Sequence, residues 1–373
     1  MSKQLDVHLR TIDNKISIDD EDRKPYTEVY DSIRNYFLDR MCETDPVFKR
    51  LCKGYNLFGS YMHNVRLVKP SEFDVLLILK MPYGEKMRIR QDNDRPGFIH
   101  LEFNDLLNEL YNDRSLDDVR TQLAKLTGNS APKLLDRKKL GDWIESIIKK
   151  VPPPSSTWYG RRLDITYSKR SVAHTLYAKD RNDKNFAISI DFVVTVEIED
   201  TEWVKTHGYS SYNIKPWYAV PKYFKSENRS SSAFSFLIVN PRAEHDLLFN
   251  KQHLKVVFRL LKSLRDHLEL DRLKSVFFTS MFLWKVQGMN QNRYWERPVG
   301  ELFPEILNEL TTYFRNRELK YFWSPSHNLM DILRREELEE YSRKLQAVNQ
   351  VFQSFRSKGV LTYDDCAEHF DVL

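Results

Sequence analysis

The chain has 373 residues, 41% of them apolar, which suffices for one large or two ordinary domains with a real core. A net charge of +5 does not by itself declare a nucleic-acid binder, no apolar run reaches the roughly 18 residues of a membrane span, and the N-terminus lacks the apolar centre of a secretory signal. Three cysteines, Cys42, Cys52 and Cys366, fit neither a disulfide framework nor a zinc site, so a reduced, cytoplasmic protein is expected.

Residues 1–20 are polar and mixed in charge and read as a flexible arm. From Pro25 the apolar residues Val29, Ile33, Phe37 and Met41 recur every four positions, predicting a long helix to about 40–43 with Pro25 in its first turn. A short helix follows near 48–55, then strands over 56–80 and a charged hairpin or loop over 84–97. Helices are expected from Phe103 and over 138–150, where Pro152-Pro153-Pro154 ends the second. Leu163–Tyr167 and Thr175–Ala178 read as strands leading to a longer one over Phe186–Glu197. Beyond about residue 200 strand signals fade, and Leu254–Leu268, Leu273–Val286, Gly300–Arg315 and Leu329–Phe355 read as helices. The expected class is α+β: a mixed α/β lobe with its long helix over 21–200 and a helical lobe over 201–373.

The chemistry concentrates at Phe58-Gly59-Ser60 and Ser71-Glu72-Phe73-Asp74-Val75-Leu76-Leu77-Ile78-Leu79. On a strand Glu72 and Asp74 share a face, about 7 Å apart, while Phe73, Val75, Leu77 and Leu79 take the other. Taken alone the pair is equally readable as edge-strand charge beside an ordinary turn; two same-face carboxylates are also what a hard divalent cation needs. Glycine lets a backbone approach a phosphate closely, and Ser60 brings a hydroxyl and an N–H. A third acid shifts the balance. In the 186–197 strand, Ile188, Ile190, Phe192, Val194 and Val196 share one face; Asp191 lies mid-strand on the other, and a buried carboxylate needs a partner or a metal. Glycine-serine, acid-x-acid and a distant strand acid form the polymerase-β-type nucleotidyltransferase pattern.

Gly59-Ser60-Tyr61, Asn64-Val65-Arg66, Glu72-Phe73-Asp74-Val75, Ile188-Ser189-Ile190-Asp191, Lys215-Pro216-Trp217-Tyr218-Ala219-Val220-Pro221-Lys222, Leu260-Leu261-Lys262 and Tyr321-Phe322 with His327-Asn328-Leu329-Met330 together resemble cyclic GMP–AMP synthase and the animal cGAS-like receptors. The resemblance runs from about residue 26 to 333. It implies a bilobed nucleotidyltransferase whose long N-terminal helix is a spine joining the lobes. It implies two Mg²⁺ or Mn²⁺ ions on Glu72, Asp74 and Asp191, the donor triphosphate on Gly59 and Ser60, and nucleotide contacts from Lys262 and Ser275. Lys262 is otherwise readable as a solvated helix lysine.

Three departures qualify it. Val276, with Phe277 and Phe278 beside it, stands where the vertebrate enzyme stacks a tyrosine on a base, and Ala233-Phe234-Ser235-Phe236 falls where a base-selecting arginine is expected. The region from His245 to Lys255 has no cysteine, so the vertebrate zinc thumb that grips DNA is not expected here. The implied function is synthesis of a cyclic dinucleotide from ATP and GTP on binding double-stranded RNA, as in the insect branch, without a membrane and with room for a ligand-induced dimer. Linear oligonucleotide synthesis and a catalytically silent nucleic-acid-binding scaffold are the alternatives. Candidate duplex contacts are the clusters Lys49, Arg50 and Lys53, Lys138 and Lys139, and Lys149 and Lys150, each of which also reads as an ordinary solvated face.

Overall fold

The computed structural model describes residues 2–67, 69–129, 131–152, 154, 157–199, 201–207, 216–222, 233–289, 292–355 and 360–372. The first element overturns the expected flexible arm over 1–20. Helix α1 (Ser2–Ile16) buries Leu5, Leu9, Ile12 and Ile16, and Asp13 at its end is tied to Arg259 by a 2.6 Å ion pair. Four apolar residues at helical spacing make a stripe narrow enough to vanish in a polar average. Helix α2 (Asp20–Thr44) is the long spine, and it starts before Pro25 because Asp19 caps it, accepting a hydrogen bond from the Asp22 amide. Pro25 therefore lies in the second turn, where its missing N–H forfeits one helical bond. Val29, Ile33, Phe37 and Met41 face the core as expected.

Helix α3 (Pro46–Leu51) leads into β1 (Cys52–Phe58), a single turn α4 (Gly59–Met62) and β2 (Glu72–Leu79). The charged stretch over 84–97 turns into a hairpin, β3 (Arg88–Gln91) with β4 (Phe98–Glu102). Helices α5 (Asn104–Asn112), α6 (Asp117–Thr127) and α7 (Arg137–Ile148) follow, then β5 (Leu163–Arg170), β6 (Ala173–Asp180), β7 (Ala187–Ile198) and the short α8 (Thr201–Thr206).

The sheet does not stop near residue 200, so the boundary at 201 is corrected: β8 (Trp217–Pro221) and β9 (Phe236–Val239) both join it. Each is a short, continuous apolar run buried on both faces, without the alternation that marks a half-exposed strand. The chain then becomes helical with α9 (Pro241–Leu248), α10 (Gln252–His267), α11 (Ser275–Met289) and α12 (Val299–Asn316). A small hairpin, β10 (Lys320–Tyr321) with β11 (Ser324–Asn328), precedes α13 (Arg335–Ser354) and α14 (Tyr363–Ala367). The single helix expected over 329–355 thus starts late, because residues 329–332 form a tight turn that Asn328 caps.

Among the described residues the main sheet has the order β1-β2-β7-β8-β9-β4-β3, with β5 and β6 hung from the same edge of β7 that β8 uses further along. Its centre is the parallel pair β2–β7, in register from Glu72–Ser189 to Leu79–Val196. One face of that pair, carrying Phe73, Val75, Leu77, Ile190, Phe192 and Val194, packs into the main core. The opposite face carries the acids and a small apolar patch of Leu76, Ile78, Tyr218 and Val239.

Candidate active site

Parallel register sets Asp74 directly beside Asp191, so their side chains leave the same face on strands about 4.8 Å apart. The closeness has an electrostatic signature. The Asp74 carboxyl is pushed up to about 6, first by burial, then by the charges of Asp191 and Glu72; Arg66 and Lys222 oppose the shift. On its other side Asp191 faces Thr175 of β6, whose hydroxyl donates to Asp191 Oδ1 at 2.6 Å.

Gly59 stands against this pair. Its φ is +73°, and a Cβ there would come within 2.6 Å of Asp74 Oδ2. A side chain is excluded twice, by backbone conformation and by the carboxylate. Ser60 is the second residue of α4, and its side chain lies outside the described residues.

Glu72 starts β2 and is exposed; its Oε2 pairs with Arg66 Nη1 at 2.5 Å instead of turning to the two aspartates. Hence among the described residues no three acidic, imidazole or thiol groups are already gathered as a metal cage. The donor set nevertheless suits a hard divalent cation: two adjacent carboxylates repelling each other, a third two residues along β2, and no sulfur or imidazole needed.

Lys262, expected as a phosphate contact, is buried at 5% exposure on α10 with its ammonium donating to the Val65 carbonyl at 2.9 Å. Burial, then Arg265 and Arg66, push its pKa down to about 7. The segment it holds, residues 63–66, is gripped elsewhere too: Arg259 donates to the Asn64 carbonyl at 3.1 Å and Arg23 of α2 to the Asn64 side chain. His63 is fully buried against Glu244 at 3.3 Å, and Glu244 also accepts from Trp323 at 2.5 Å. Spine, helical lobe and Gly-Ser turn are thereby fastened to one short segment beside the acids.

Ser275 opens α11, half-buried, and its carbonyl accepts from Thr279; no described contact joins it to the acids. Phe277 and Phe278 are fully buried in the core, so neither offers a ring to a base in place of the missing tyrosine. Lys215 lies outside the described residues, but Lys222, at the end of the same motif, is the basic residue of that stretch that Asp74 senses. Part of its side chain remains exposed, while desolvation lowers its pKa and Asp74 works against that shift. Lys222 closes the Lys215–Lys222 motif, and nothing in its spacing assigns it a role.

Of the basic clusters, α3 and α7 lie side by side: Trp143 packs on Phe48 and donates to Asp45 at 3.1 Å. Lys49, Arg50, Lys53, Lys138, Lys139, Lys149 and Lys150 are all exposed. Arg50 is paired with Asp118 at 3.4 Å and Lys149 with Glu145 at 2.7 Å. A further group was missed. Lys255 has its pKa lowered by burial and by the like charges of Arg259 and Arg23, which marks a cationic cluster where α10 meets the spine. Lys251, Lys255 and Arg259 recur every fourth residue, a helical-face spacing that could have revealed it.

The Mab-21 protein nucleotidyltransferase domain matches residues 61–250, and the Mab-21 protein HhH/H2TH-like domain matches residues 253–347. The chain belongs to the Mab-21 nucleotidyltransferase family. Similar proteins include a cyclic GMP-AMP synthase-like receptor of Drosophila eugracilis, 30% identical over 94% of this chain and 91% of the relative. A cyclic GMP-AMP synthase-like protein of Drosophila melanogaster is 29% identical over 89% of each chain. A cyclic GMP-AMP synthase-like receptor of Lucilia cuprina is 26% identical over 89% of this chain and 87% of its own. The Mab-21 nucleotidyltransferase match takes in β2, β7, β8 and β9, the strands around the acid pair, and the second match begins at the start of α10. Among the described residues no helix is long and apolar enough to cross a membrane.

Proposed function

We propose that this Mab-21 nucleotidyltransferase joins ATP and GTP into a cyclic dinucleotide when it binds double-stranded RNA, in the cytoplasm. The observation that carries the reading is the in-register pair Asp74–Asp191 with the Gly59 backbone closed against it. In this reading Gly59 and Ser60 hold the donor triphosphate, Lys222 and Lys262 balance its charge, and Ser275 reaches the nucleotide once the helical lobe closes. Glu72, Asp74 and Asp191 would hold two Mg²⁺ or Mn²⁺ ions, which supply activation of the attacking ribose hydroxyl and neutralise the departing pyrophosphate. The carboxylates meanwhile fix the geometry on a rigid parallel strand pair.

The RNA reading rests on exposed lysines that can follow the phosphates and 2′-hydroxyls of an A-form duplex without reading bases. Of these, Lys49, Lys53, Lys138, Lys139 and Lys150 make up one candidate surface; the half-buried Lys251, Lys255 and Arg23 make up a second cationic cluster. Names of the relatives support a cyclic GMP–AMP product.

Incubating the full chain with labelled ATP and GTP, Mn²⁺ and a panel of RNA and DNA duplexes tests all of this. The expected product is a cyclic dinucleotide, formed with long duplex RNA, weakly with DNA of equal length, and steeply less as salt rises. Linear oligomers would replace the product assignment, and equal activation by DNA would overturn the RNA assignment.

A further inference from the structure

Asp191 lies mid-strand in β7 with an in-register neighbour on each side. Asp74 lies on one side and Thr175 on the other, each directly opposite it. Thr175 is 3% exposed, and its hydroxyl donates to Asp191 Oδ1 at 2.6 Å, a length typical of a bond to an ionised oxygen. Among the described residues this is the side-chain hydrogen bond that Asp191 accepts. A carboxylate on a strand can rotate about χ2 in a broad well, so one strong bond to a buried, immobile donor decides which oxygen faces which neighbour.

We infer that Thr175 is a positioning residue for the metal site: it fixes Oδ1 of Asp191 and so leaves the other oxygen for a divalent cation shared with Asp74. The inference rests on the metal reading of the acids given above. Its chemistry is that of a ligand whose unused atom is tethered, so that less orientational freedom is lost when the cation arrives. β-Branching contributes as well, because Thr at a strand position has its own χ1 restricted by the pleat. The other β6 side chains near the pair cannot substitute: His174 and Leu176 alternate to the opposite face, and Tyr177 is 45% exposed.

The test is Mn²⁺ titration of the full chain followed by electron paramagnetic resonance, with nucleotide absent, so that the readout is binding and not turnover. Thr175→Val keeps the shape and removes the donor; Thr175→Ser keeps the donor. We expect Thr175→Val to bind Mn²⁺ about 10-fold more weakly than wild type and Thr175→Ser to stay within about 2-fold. In turnover assays the loss should appear in kcat at limiting Mn²⁺ and shrink as Mn²⁺ is raised, with KM for ATP little changed. A merely structural role would lower the melting temperature and leave the Mn²⁺ midpoint in place, and that result overturns the inference. Should Thr175→Val not fold, Thr175→Ala carries the same comparison without placing a methyl against the carboxylate. Asp191→Asn serves as the reference: if it too binds Mn²⁺ as wild type does, the metal reading itself falls, whereas unchanged binding in the Thr175 variants alone removes only Thr175.

Discussion

Strands β2 and β7 carry one backbone through two environments. On the face toward the spine, Phe73 stacks on Tyr30 at 4.2 Å between ring centroids, and Val75, Ile190 and Phe192 are sealed from solvent. On the other face the next residues in sequence are Asp74 and Asp191, with a patch of four buried residues, Leu76, Ile78, Tyr218 and Val239, beyond them. Burial on the first face pays for a site on the second: packing holds two carboxylates where Coulomb repulsion alone would part them. The two faces should therefore respond oppositely to mutation, one losing stability and the other losing chemistry.

The largest expected effect falls on chemistry. Replacing Glu72 and Asp74 together by Ala should reduce product formation below detection while circular dichroism and duplex binding stay as in wild type. Turnover that survives the double substitution would mean that the acid face is ordinary sheet surface. The matching test on the other face is Phe73→Ala, one residue away. It should cost about 3–5 kcal/mol in denaturant unfolding, the usual range for emptying a buried aromatic site. A loss under about 1 kcal/mol would show that the core face does not supply the rigidity assigned to it.

A third test separates the faces by pH. Asp74 ionises at about 6 in the fold against 3.8 unperturbed, so its charged form destabilises the metal-free protein. That cost is absent below the unfolded value, grows as pH rises from about 4 to 6, and is constant above. Asp74→Asn should thus be more stable than wild type by about 2–3 kcal/mol at pH 8 and equal to it near pH 4. Saturating Mn²⁺ should close the gap at pH 8 by stabilising the wild type. An Asn variant that is less stable at pH 8 would contradict the account in which burial, and then the neighbouring carboxylates, disfavour the charged form of Asp74.

How much of this the sequence disclosed depended on range. Period-2 alternation placed Glu72, Asp74 and Asp191 on their faces, and period-4 spacing found the spine, because both signals are local. Thr175 stayed invisible since threonine is common on strands and its partner lies in the next one. Motif likeness offers Lys262 as a nucleotide contact, but its burial was not legible, because its partner, the Val65 carbonyl, is 197 positions away. Helix α1 was hidden by the mostly polar residues between its four buried apolar ones, and β8 and β9 by their lack of alternation. The Arg66–Glu72 pair is local, yet it too escaped, because spacing says nothing of which way a loop arginine turns.

That pair supplies the smallest and most discriminating test. Glu72 is the acid of the three that is both exposed, at 61% of its side chain, and already partnered, so a cation must displace Arg66 to use it. An exposed ion pair is worth roughly 0–1 kcal/mol, so the competition is mild. Removing the guanidinium also removes a positive charge from beside the incoming cation. Arg66→Ala should therefore tighten Mn²⁺ binding by up to about 5-fold, as the 0–1 kcal/mol range converts. The gain should shrink with added salt, which already screens the pair in wild type. Arg66→Lys should fall between Ala and wild type, keeping the charge without the planar fork. Weaker Mn²⁺ binding in Arg66→Ala would reverse the assignment: Arg66 would then be holding Glu72 in place for the metal, and the acid face would be more preorganised than its two-plus-one arrangement implies.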